Sequence, residues 1–313
     1  MTAKPVVVGV DGSEESLRAV EWAAMEATRR SRSLRIVSAP AVMPRLREPH
    51  ASEAEVGVAL RGVAARALDA AVGRCAEVAP GLPVETRLVS GPPALAVVAS
   101  GREASMLVVG SRGAGGFAAM VLGSVSRYAA SHAPCPVVVA RQETVAVHRA
   151  VAVGVRDPDD AAGALGFAFE EAALRGADLV AVHAWFWFPP AMSVSVQAGA
   201  VRPLPDRAEQ VSAEAARALE ETLDLWRDKY PGVLVRQDVV RGHPGRVLAG
   251  YSARADLVVL GRHGSPDKTG AAVGSVRHAV LDHAHGPVAV VPQSVAAPGE
   301  PGRPGLWPPP GEP

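Results

Sequence analysis

A glycine pattern that occurs twice constrains this chain more than any other feature of its sequence. The letters GSRG at 110–113 are followed after nine residues by GS at 123–124, and GRHG at 261–264 is followed after nine residues by GS at 274–275. Each copy comes directly after a short apolar run and before a helical pattern. A chain of 313 residues is long enough for two cores of ordinary size, so the repeat predicts two copies of one domain.

Short β-branched runs alternate with helical patterns in both halves, which is typical of a parallel sheet with helices on both faces. The predicted strands are 6–10, 34–37, 84–89, 106–109 and 137–140 in the first half, and 151–155, 179–183, 233–240, 257–260 and 288–291 in the second. The predicted fold is therefore α/β, with two tandem domains at 1–143 and 148–293. A loop is predicted at 185–205, and the residues 294–313, rich in proline and glycine, are predicted to be a disordered tail.

The glycine-rich segment of the first half is suited to holding phosphate. Glycine lets backbone N–H groups approach an anion without a Cβ in the way, and the start of a helix adds donors and a favourable dipole. If the strand order is 3-2-1-4-5, Asp11 after the first strand faces this segment after the fourth, where the winding of the sheet reverses. The segment lacks the lysine of a P-loop, and no GxGxxG follows the first strand, so neither of those sites is predicted.

The glycine pattern, together with GVDGS at 9–13 and GSVS at 123–126, resembles the universal stress protein family, whose tandem members carry two such domains. The resemblance covers nearly all of residues 4–293. It implies two Rossmann-like domains of the adenine nucleotide alpha hydrolase-like type, each with a five-stranded parallel sheet in the order 3-2-1-4-5. It also implies binding of ATP, with or without Mg²⁺, and at most weak hydrolysis.

In the first domain the resemblance implies that Asp11 meets the ribose or adenine side of the nucleotide, since its oxygens can accept hydrogen bonds from hydroxyl groups. The backbone around Val10, Ala39 and Val109 would border the base. The ribose and phosphates would be surrounded by Gly110, Arg112, Gly113, Gly123, Ser124, Val125 and Ser126. The alternative is that these glycines only form a tight connection between strand and helix.

In the second domain the corresponding residues are Val155, Leu260, Gly261, His263, Gly264, Gly274, Ser275, Val276 and Arg277. This half departs from the family pattern, because Arg156 stands where the first half has Asp11. Arginine has no acceptor for a ribose hydroxyl, although it can reach a phosphate. Asp157 would replace Asp11 only if the backbone shifted by one residue, so nucleotide binding in this half is left open.

Composition limits the partners and the compartment. Basic and acidic residues each number 32, so no net charge favours nucleic acid or an anionic membrane. No apolar run approaches the roughly 20 residues of a membrane helix, and no secretory signal pattern opens the chain. Two cysteines are too few for a disulfide framework, which predicts a cytoplasmic protein. Cys135 is expected to be buried and unreactive, and His183 to be structural rather than a metal ligand.

These features support three functions. The favoured one is an ATP-binding protein of stress response or signalling, in which the nucleotide controls conformation or the choice of an unknown protein partner, and which is not an enzyme. The second is a nucleotide-independent interaction module that uses exposed fifth strands at 137–139 and 288–291 and an aromatic loop at 185–188. Pairing of these strands would join the two halves of the chain and could also join two chains in a homodimer. The third, slow ATP hydrolysis, lacks an evident general base or pair of Mg²⁺ ligands.

Overall fold

The computed structural model describes residues 3–40, 53–113, 122–141, 147–156, 161–185, 194–197, 200–203, 208–262 and 274–293. The predicted tail at 294–313, the predicted site residues His263 and Gly264, and Asp157 lie outside these ranges. Among the helices within these ranges, none is both long enough and apolar enough to cross a membrane.

The first half folds into five parallel strands with helices between them. Its elements are β1 (Val6–Val10), α1 (Glu14–Arg29), β2 (Leu34–Ser38), α2 (Glu53–Val78), β3 (Val84–Leu88), α3 (Pro93–Ser100), a 3₁₀ turn (Gly101–Glu103), β4 (Met106–Gly110), α4 (Ser124–His132) and β5 (Val137–Ala140). The strands lie in the order β3-β2-β1-β4-β5, which confirms the expected order 3-2-1-4-5. β1 and β4 are therefore adjacent, although most of the domain separates them in sequence.

The second half repeats this arrangement with one addition. Its elements are β6 (Ala150–Gly154), α5 (Ala162–Arg175), β7 (Asp178–Trp185), β8 (Val194–Gln197), β9 (Ala200–Pro203), α6 (Ala208–Lys229), β10 (Val235–Arg241), α7 (Pro244–Tyr251), β11 (Leu257–Arg262), α8 (Gly274–His283) and β12 (Val288–Pro292). The order β10-β7-β6-β11-β12 is again 3-2-1-4-5. The predicted loop at 185–205 is wrong in part, because β7 extends to Trp185 and β8 pairs antiparallel with β9. Strands of four residues carry too short an alternation to stand out in the sequence.

The two sheets join through their fifth strands. β5 and β12 pair antiparallel, with Val139 opposite Val288 and Val137 opposite Val290, so that one sheet of ten strands results. This confirms the predicted pairing within the chain. The prediction that these strands are exposed is wrong, because each has a neighbour on both sides and these four valines are at most 1% exposed. A homodimer would therefore need another surface.

Helices cover both faces of the ten-stranded sheet. α1, α2, α5 and α6 pack on one face, and α3, α4, α7 and α8 pack on the other. Neighbouring residues of a strand are buried on opposite faces. In β1, Val6 and Val8 pack against the layer of α1, α2, α5 and α6, and Val7 packs against the layer of α3, α4, α7 and α8. Burial on both faces explains why the strands are continuous apolar runs and do not alternate with polar residues.

Four charged side chains meet where α1 of the first domain contacts α5 of the second. Glu26 and Arg30 lie one helical turn apart, as do Glu171 and Arg175. Across the contact, Arg30 Nη2 lies 2.5 Å from Glu171 Oε1, and Arg175 Nη2 lies 2.7 Å from Glu26 Oε2. Both carboxylates are fully buried. We call these four residues the interdomain ion cluster; the buried charges are tolerated because each carboxylate meets both arginines.

The two cysteines, Cys75 and Cys135, are free and buried. Burial raises the pKa of the Cys135 thiol to about 11 and also raises the pKa of Cys75. The thiolate is the reactive form and burial disfavours it in both residues, so we expect neither to react with Ellman's reagent at pH 8 in the folded protein. Both should react once guanidinium unfolds the chain and their pKa returns to about 8.5. A fast-reacting thiol in the native protein would contradict this burial.

Candidate functional site

The candidate site of the first domain lies at the carboxyl ends of β1 and β4. These strands are parallel neighbours, with Val8 opposite Val108. Asp11 follows β1, and Gly110 ends β4 and begins the glycine-rich loop. The winding of the sheet reverses here, since β2 and β3 lie on one side and β5 lies on the other. This is the edge at which open α/β sheets bind their ligands.

Asp11 is held in place by the residue that caps α1. Its Oδ1 accepts a hydrogen bond from the Ser13 N–H at 3.0 Å and another from the Ser13 hydroxyl at 2.6 Å. The Ser13 hydroxyl oxygen in turn accepts a hydrogen bond from the N–H of Ser16, in the first turn of the helix. Gly12 has φ +84°, a left-handed conformation that favours glycine. A local turn followed by a serine cap therefore fixes the position of this carboxylate.

Two glycines allow the loop after β4 to pack closely against Asp11 and α1. A Cβ atom at Gly113 would collide with Asp11 Oδ2. A Cβ atom at Gly110 would lie 2.8 Å from the backbone carbonyl oxygen of Glu15, closer than side chains are found. The structure thus brings Asp11 and the glycine-rich loop together, although they are far apart in sequence.

Two residues that were expected to surround ribose and phosphates already have partners within the protein. The Ser126 hydroxyl is buried and donates a hydrogen bond to the Gly110 carbonyl at 2.6 Å. It therefore anchors α4 to the end of β4, and its proton is not available to a ligand. Arg112 Nη2 lies 3.1 Å from Glu15 Oε1, and about half of the Arg112 side chain is exposed. Arg112 can therefore exchange this surface pair for a bound anion.

The start of α4 lies against the same loop. The N–H of Gly123 donates a hydrogen bond to the Ser111 carbonyl at 2.8 Å, and Ser124, the next residue, is exposed. Gly123 is the N-cap residue and has no side chain to cap the helix, so the first N–H groups of α4 are suited to an anion. Val125 is partly buried against the second helix layer. The residues predicted to border the base are buried at the ends of β1, β2 and β4: Val10, Ala39 and Val109.

In the second domain the corresponding edge holds a cavity of about 110 Å³. Its lining residues are Gly154, Val155, Arg156, Val182, Ala184, Pro244, Leu248, Leu260, Gly261, Val276 and Arg277. Five of the residues predicted for this domain thus come together: Val155, Leu260, Gly261, Val276 and Arg277. Gly274 and Ser275 begin α8. Our prediction missed the residues from β7 and α7, although their positions within the repeat were a signal that could have identified them.

Every residue of this cavity has a counterpart in the first domain. The offset is 145 residues in β6 and β7 and 151 residues from α7 onward. Seven of the eleven pairs are identical, and two exchange valine for leucine. The other two pairs change chemistry, since Arg156 stands in the place of Asp11 and Arg277 in the place of Ser126. The two sites thus share an apolar wall and differ in their polar groups.

His183, on β7, has a hydrogen-bond partner within the protein. Its Nδ1 lies 3.0 Å from the carbonyl oxygen of Val155, so the ring N–H donates a hydrogen bond to the end of the first strand of this domain. At the corresponding position of the first domain, the Ser38 hydroxyl donates to the Val10 carbonyl at 2.9 Å. Within the described part of the chain, no three His, Cys, Asp or Glu side chains are grouped to hold a metal ion.

The fold and these sites define a protein of two tandem doubly wound α/β domains, each with a candidate ligand site at its switch point. The universal stress protein family matches the chain twice, over residues 2–141 and 148–292, and the chain belongs to that family. A universal stress protein of Mycobacterium tuberculosis is 36% identical over 300 residues, which cover 92% of this chain and 97% of the relative.

A solved structure shares the fold of the whole chain. The crystal structure of a universal stress protein from Archaeoglobus fulgidus matches 94% of this chain and 100% of its own, with a TM-score of 0.67 and 19% identity, which shows the shared fold. A universal stress protein solved in complex with cAMP is 31% identical, and the match covers 44% of this chain and 95% of that chain with a TM-score of 0.31.

Proposed function

We propose that the first domain binds an adenine nucleotide, with ATP as its ligand, and that nucleotide occupancy controls the conformation or partner choice of a stress-response or signalling protein. The observation that carries this proposal is the meeting of Asp11 with the glycine-rich loop between β1 and β4. It places an acceptor for hydroxyl groups beside backbone donors for an anion. That combination suits a ribose and its phosphates.

Each part of a nucleotide has a matching part of this site. The buried apolar residues at the strand ends, such as Val10 and Val109, suit the base. Asp11, fixed by Ser13, would accept hydrogen bonds from ribose hydroxyls. The phosphates would meet backbone N–H groups of the loop and of the first turn of α4, and Arg112 would add a positive charge at the surface. Any Mg²⁺ would be carried by the phosphates.

We assign the function to binding and not to turnover. Asp11 Oδ1 accepts two hydrogen bonds from Ser13, so the carboxylate that contacts the loop already has structural partners. A general base for hydrolysis would have to orient a water molecule toward the phosphates.

Helix α4 supplies a route from the nucleotide to the second domain. The helix begins at Ser124, beside the loop that would hold phosphates. At its other end the carbonyl of Ala133 accepts a hydrogen bond of 2.6 Å from Arg262 Nη1, on β11 of the second domain. If α4 moves when the nucleotide binds, the hydrogen bond between Ala133 and Arg262 at the contact between the domains would change. A conformational signal needs coupling of this kind.

The expected partners and compartment belong to the same proposal. The free cysteines fit a reducing cytoplasm. A homodimer would form without the fifth strands, since β5 and β12 already pair with each other. β3 is an outer strand of the sheet and exposes charged residues such as Glu85 and Arg87, which discourage pairing with a second sheet. A protein partner is therefore not expected to pair with β3.

Replacing Asp11 by alanine is expected to weaken ATP binding about 10- to 100-fold, because a hydrogen bond to a charged group contributes about 1.5–3 kcal/mol. Equilibrium dialysis with labelled ATP measures this loss. Asp69→Ala is the matched control: it removes an exposed carboxylate on α2 that takes no part in the site, so ATP binding should change little.

Absence of binding by the unmodified protein at millimolar ATP would contradict the proposal for the first domain. Unchanged affinity of the Asp11→Ala protein would place the nucleotide elsewhere. Repeated turnover of ATP in the same samples with Mg²⁺ would contradict the assignment to binding.

A further inference from the structure

The apolar wall of the second-domain cavity is nearly the same as that of the first domain. Val155, Val182 and Ala184 are identical to their counterparts, and Leu248 and Leu260 replace valines. If the first domain holds a base against this wall, as proposed above, the second offers a planar apolar group an equivalent surface.

Compared with the first domain, the polar groups of the cavity change only from hydrogen-bond acceptors to positive charges. Arg156 replaces a carboxylate and Arg277 replaces a hydroxyl, so both acceptors of the first site become cations. Arg262 adds a third positive charge beside Arg277, at the position where the first domain has Ser111. A guanidinium has five N–H donors and no acceptor, so this site cannot accept a hydrogen bond from a hydroxyl group through these residues.

These charges lack compensation within the part of the chain that the structure describes. No carboxylate there forms an ion pair with Arg156, Arg262 or Arg277. Among the described residues, the buried Nε of Arg277 has no hydrogen-bond partner, and its Nη2 lies 3.5 Å from Ser131 Oγ. Burial and the charge of Arg262 lower the pKa of Arg277, and burial lowers the pKa of Arg262. Arg156 is exposed, whereas Arg262 and Arg277 are partly buried, and partly buried cations are stabilised when an anion joins them.

We infer that the second-domain cavity binds a nucleotide that carries a phosphate on the 2′ or 3′ oxygen of its ribose. The cavity wall takes the base, Arg156 takes the ribose phosphate where Asp11 would take a free hydroxyl, and Arg277 adds a second donor group. The same exchange operates in dinucleotide-binding folds, where an acidic residue binds a free ribose hydroxyl and an arginine accommodates a ribose phosphate. The two domains would then bind different nucleotides. For its base pocket, this inference rests on the proposed function.

Calorimetry on the full chain with Gly113→Ala, which is designed to disable the first site, tests the inference. We expect adenosine 3′,5′-bisphosphate or adenosine 2′,5′-bisphosphate to bind about 10- to 100-fold more tightly than AMP, since pairing of arginine with phosphate is a strong charge-assisted interaction. Arg156→Asp should reverse this preference. Arg156→Lys should reduce it, because lysine keeps the charge and loses the two-pronged geometry. Arg217→Ala, an exposed arginine on the opposite helix layer, should leave it unchanged.

Equal binding of AMP and both bisphosphates would overturn the inference, as would a preference that survives Arg156→Asp. Inorganic phosphate that competes as well as the bisphosphates would show a plain anion site and would overturn it too. Suppose that neither bisphosphate binds, but that the unmodified protein binds ATP and Asp11→Ala weakens that binding. The inference then fails and the proposed function stands. If ATP binding is absent and a bisphosphate binds, the proposed function of the first domain fails alone.

Discussion

Replacing Glu26 by alanine is expected to lower the free energy of unfolding by about 3–5 kcal/mol, which is the cost of leaving buried charge without its partner. Glu26 is fully buried and lies 2.6 Å from Arg30 Nε and 2.7 Å from Arg175 Nη2. Its removal would leave two arginines, both more than nine-tenths buried, with Glu171 as the only buried carboxylate of the interdomain ion cluster. Because the cluster joins α1 to α5, the loss should also weaken the contact between the domains.

The two carboxyl groups of the interdomain ion cluster titrate in opposite directions. Burial opposes ionisation of Glu26, but Arg175 and Arg30 outweigh it and lower its pKa below the ordinary value. Burial and the negative charge of Glu26 raise the pKa of Glu171. The contribution of Glu26 to the free energy of unfolding is therefore fully present above the pKa of an unfolded glutamate, about 4.3. It is lost as the pH falls through the lower pKa of the folded protein. Ionisation of Glu171 has the opposite sign and costs stability as the pH rises through its raised pKa.

Unfolding in guanidinium at pH 7, followed by circular dichroism, measures the effect of Glu26→Ala. Glu14→Ala is the matched control, since Glu14 is on the same helix but half exposed, with Arg18 Nε at 3.9 Å and Arg74 Nη1 at 3.4 Å. An exposed pair contributes at most about 1 kcal/mol. If the two variants lose the same stability, the buried cluster does not hold the domains together as described.

The second large effect is expected at Gly113, where alanine should abolish measurable ATP binding to the first domain while the chain still folds. The new Cβ would collide with Asp11 Oδ2, so either the loop or the carboxylate must move. Asp11 is tied to Ser13 by two hydrogen bonds and cannot shift without disturbing the start of α1. The loop is therefore expected to retreat, which would separate the ribose acceptor from the phosphate donors. We expect at least about a 100-fold loss of affinity, equivalent to about 2.7 kcal/mol.

Gly73→Ala is the matched control for this substitution. Gly73 is exposed on α2, and a Cβ there would meet nothing within 4 Å. Alanine at a helical glycine should raise stability by up to about 1 kcal/mol and leave nucleotide binding intact. Equilibrium dialysis with labelled ATP compares the two variants with the unmodified protein. Full affinity in the Gly113→Ala protein would show that the loop does not need its close approach to Asp11.

The repeat and the apolar runs were sufficient to predict most of the architecture. Strands buried on both faces are recognisable because residues such as Val6, Val7 and Val8 are all apolar, and the glycine pattern marks the end of the fourth strand in each half. The strand order and the approach of Asp11 to the loop came from the family resemblance and the rules for doubly wound sheets. The short hairpin of β8 and β9 was missed, because four residues carry too little periodicity.

The candidate site was predicted less completely than the fold. The sequence placed Ser126 near phosphates because of its position at a helix start, but its hydroxyl is used to hold the Gly110 carbonyl. From the sequence, the second site was expected to be altered because Arg156 replaces Asp11 and the loop at 265–268 differs, with Lys268 and Arg277 as added positive charges. The cavity shows that Arg277 changes the same site in the same direction and that the apolar wall is kept.

By itself, the sequence determined the two domains, the order of the helices and of the strands of the main sheet, and the places where glycine permits a close approach, because these depend on spacing and on the chemistry of single residues. Only the tertiary structure decided which distant groups meet. Glu26 pairs with Arg175 across 149 residues, and the fifth strands pair with each other and leave no free edge there. Hydrogen-bond partners and burial depend on how separate segments approach each other in space. The spacing of apolar residues along the chain does not specify which segments meet.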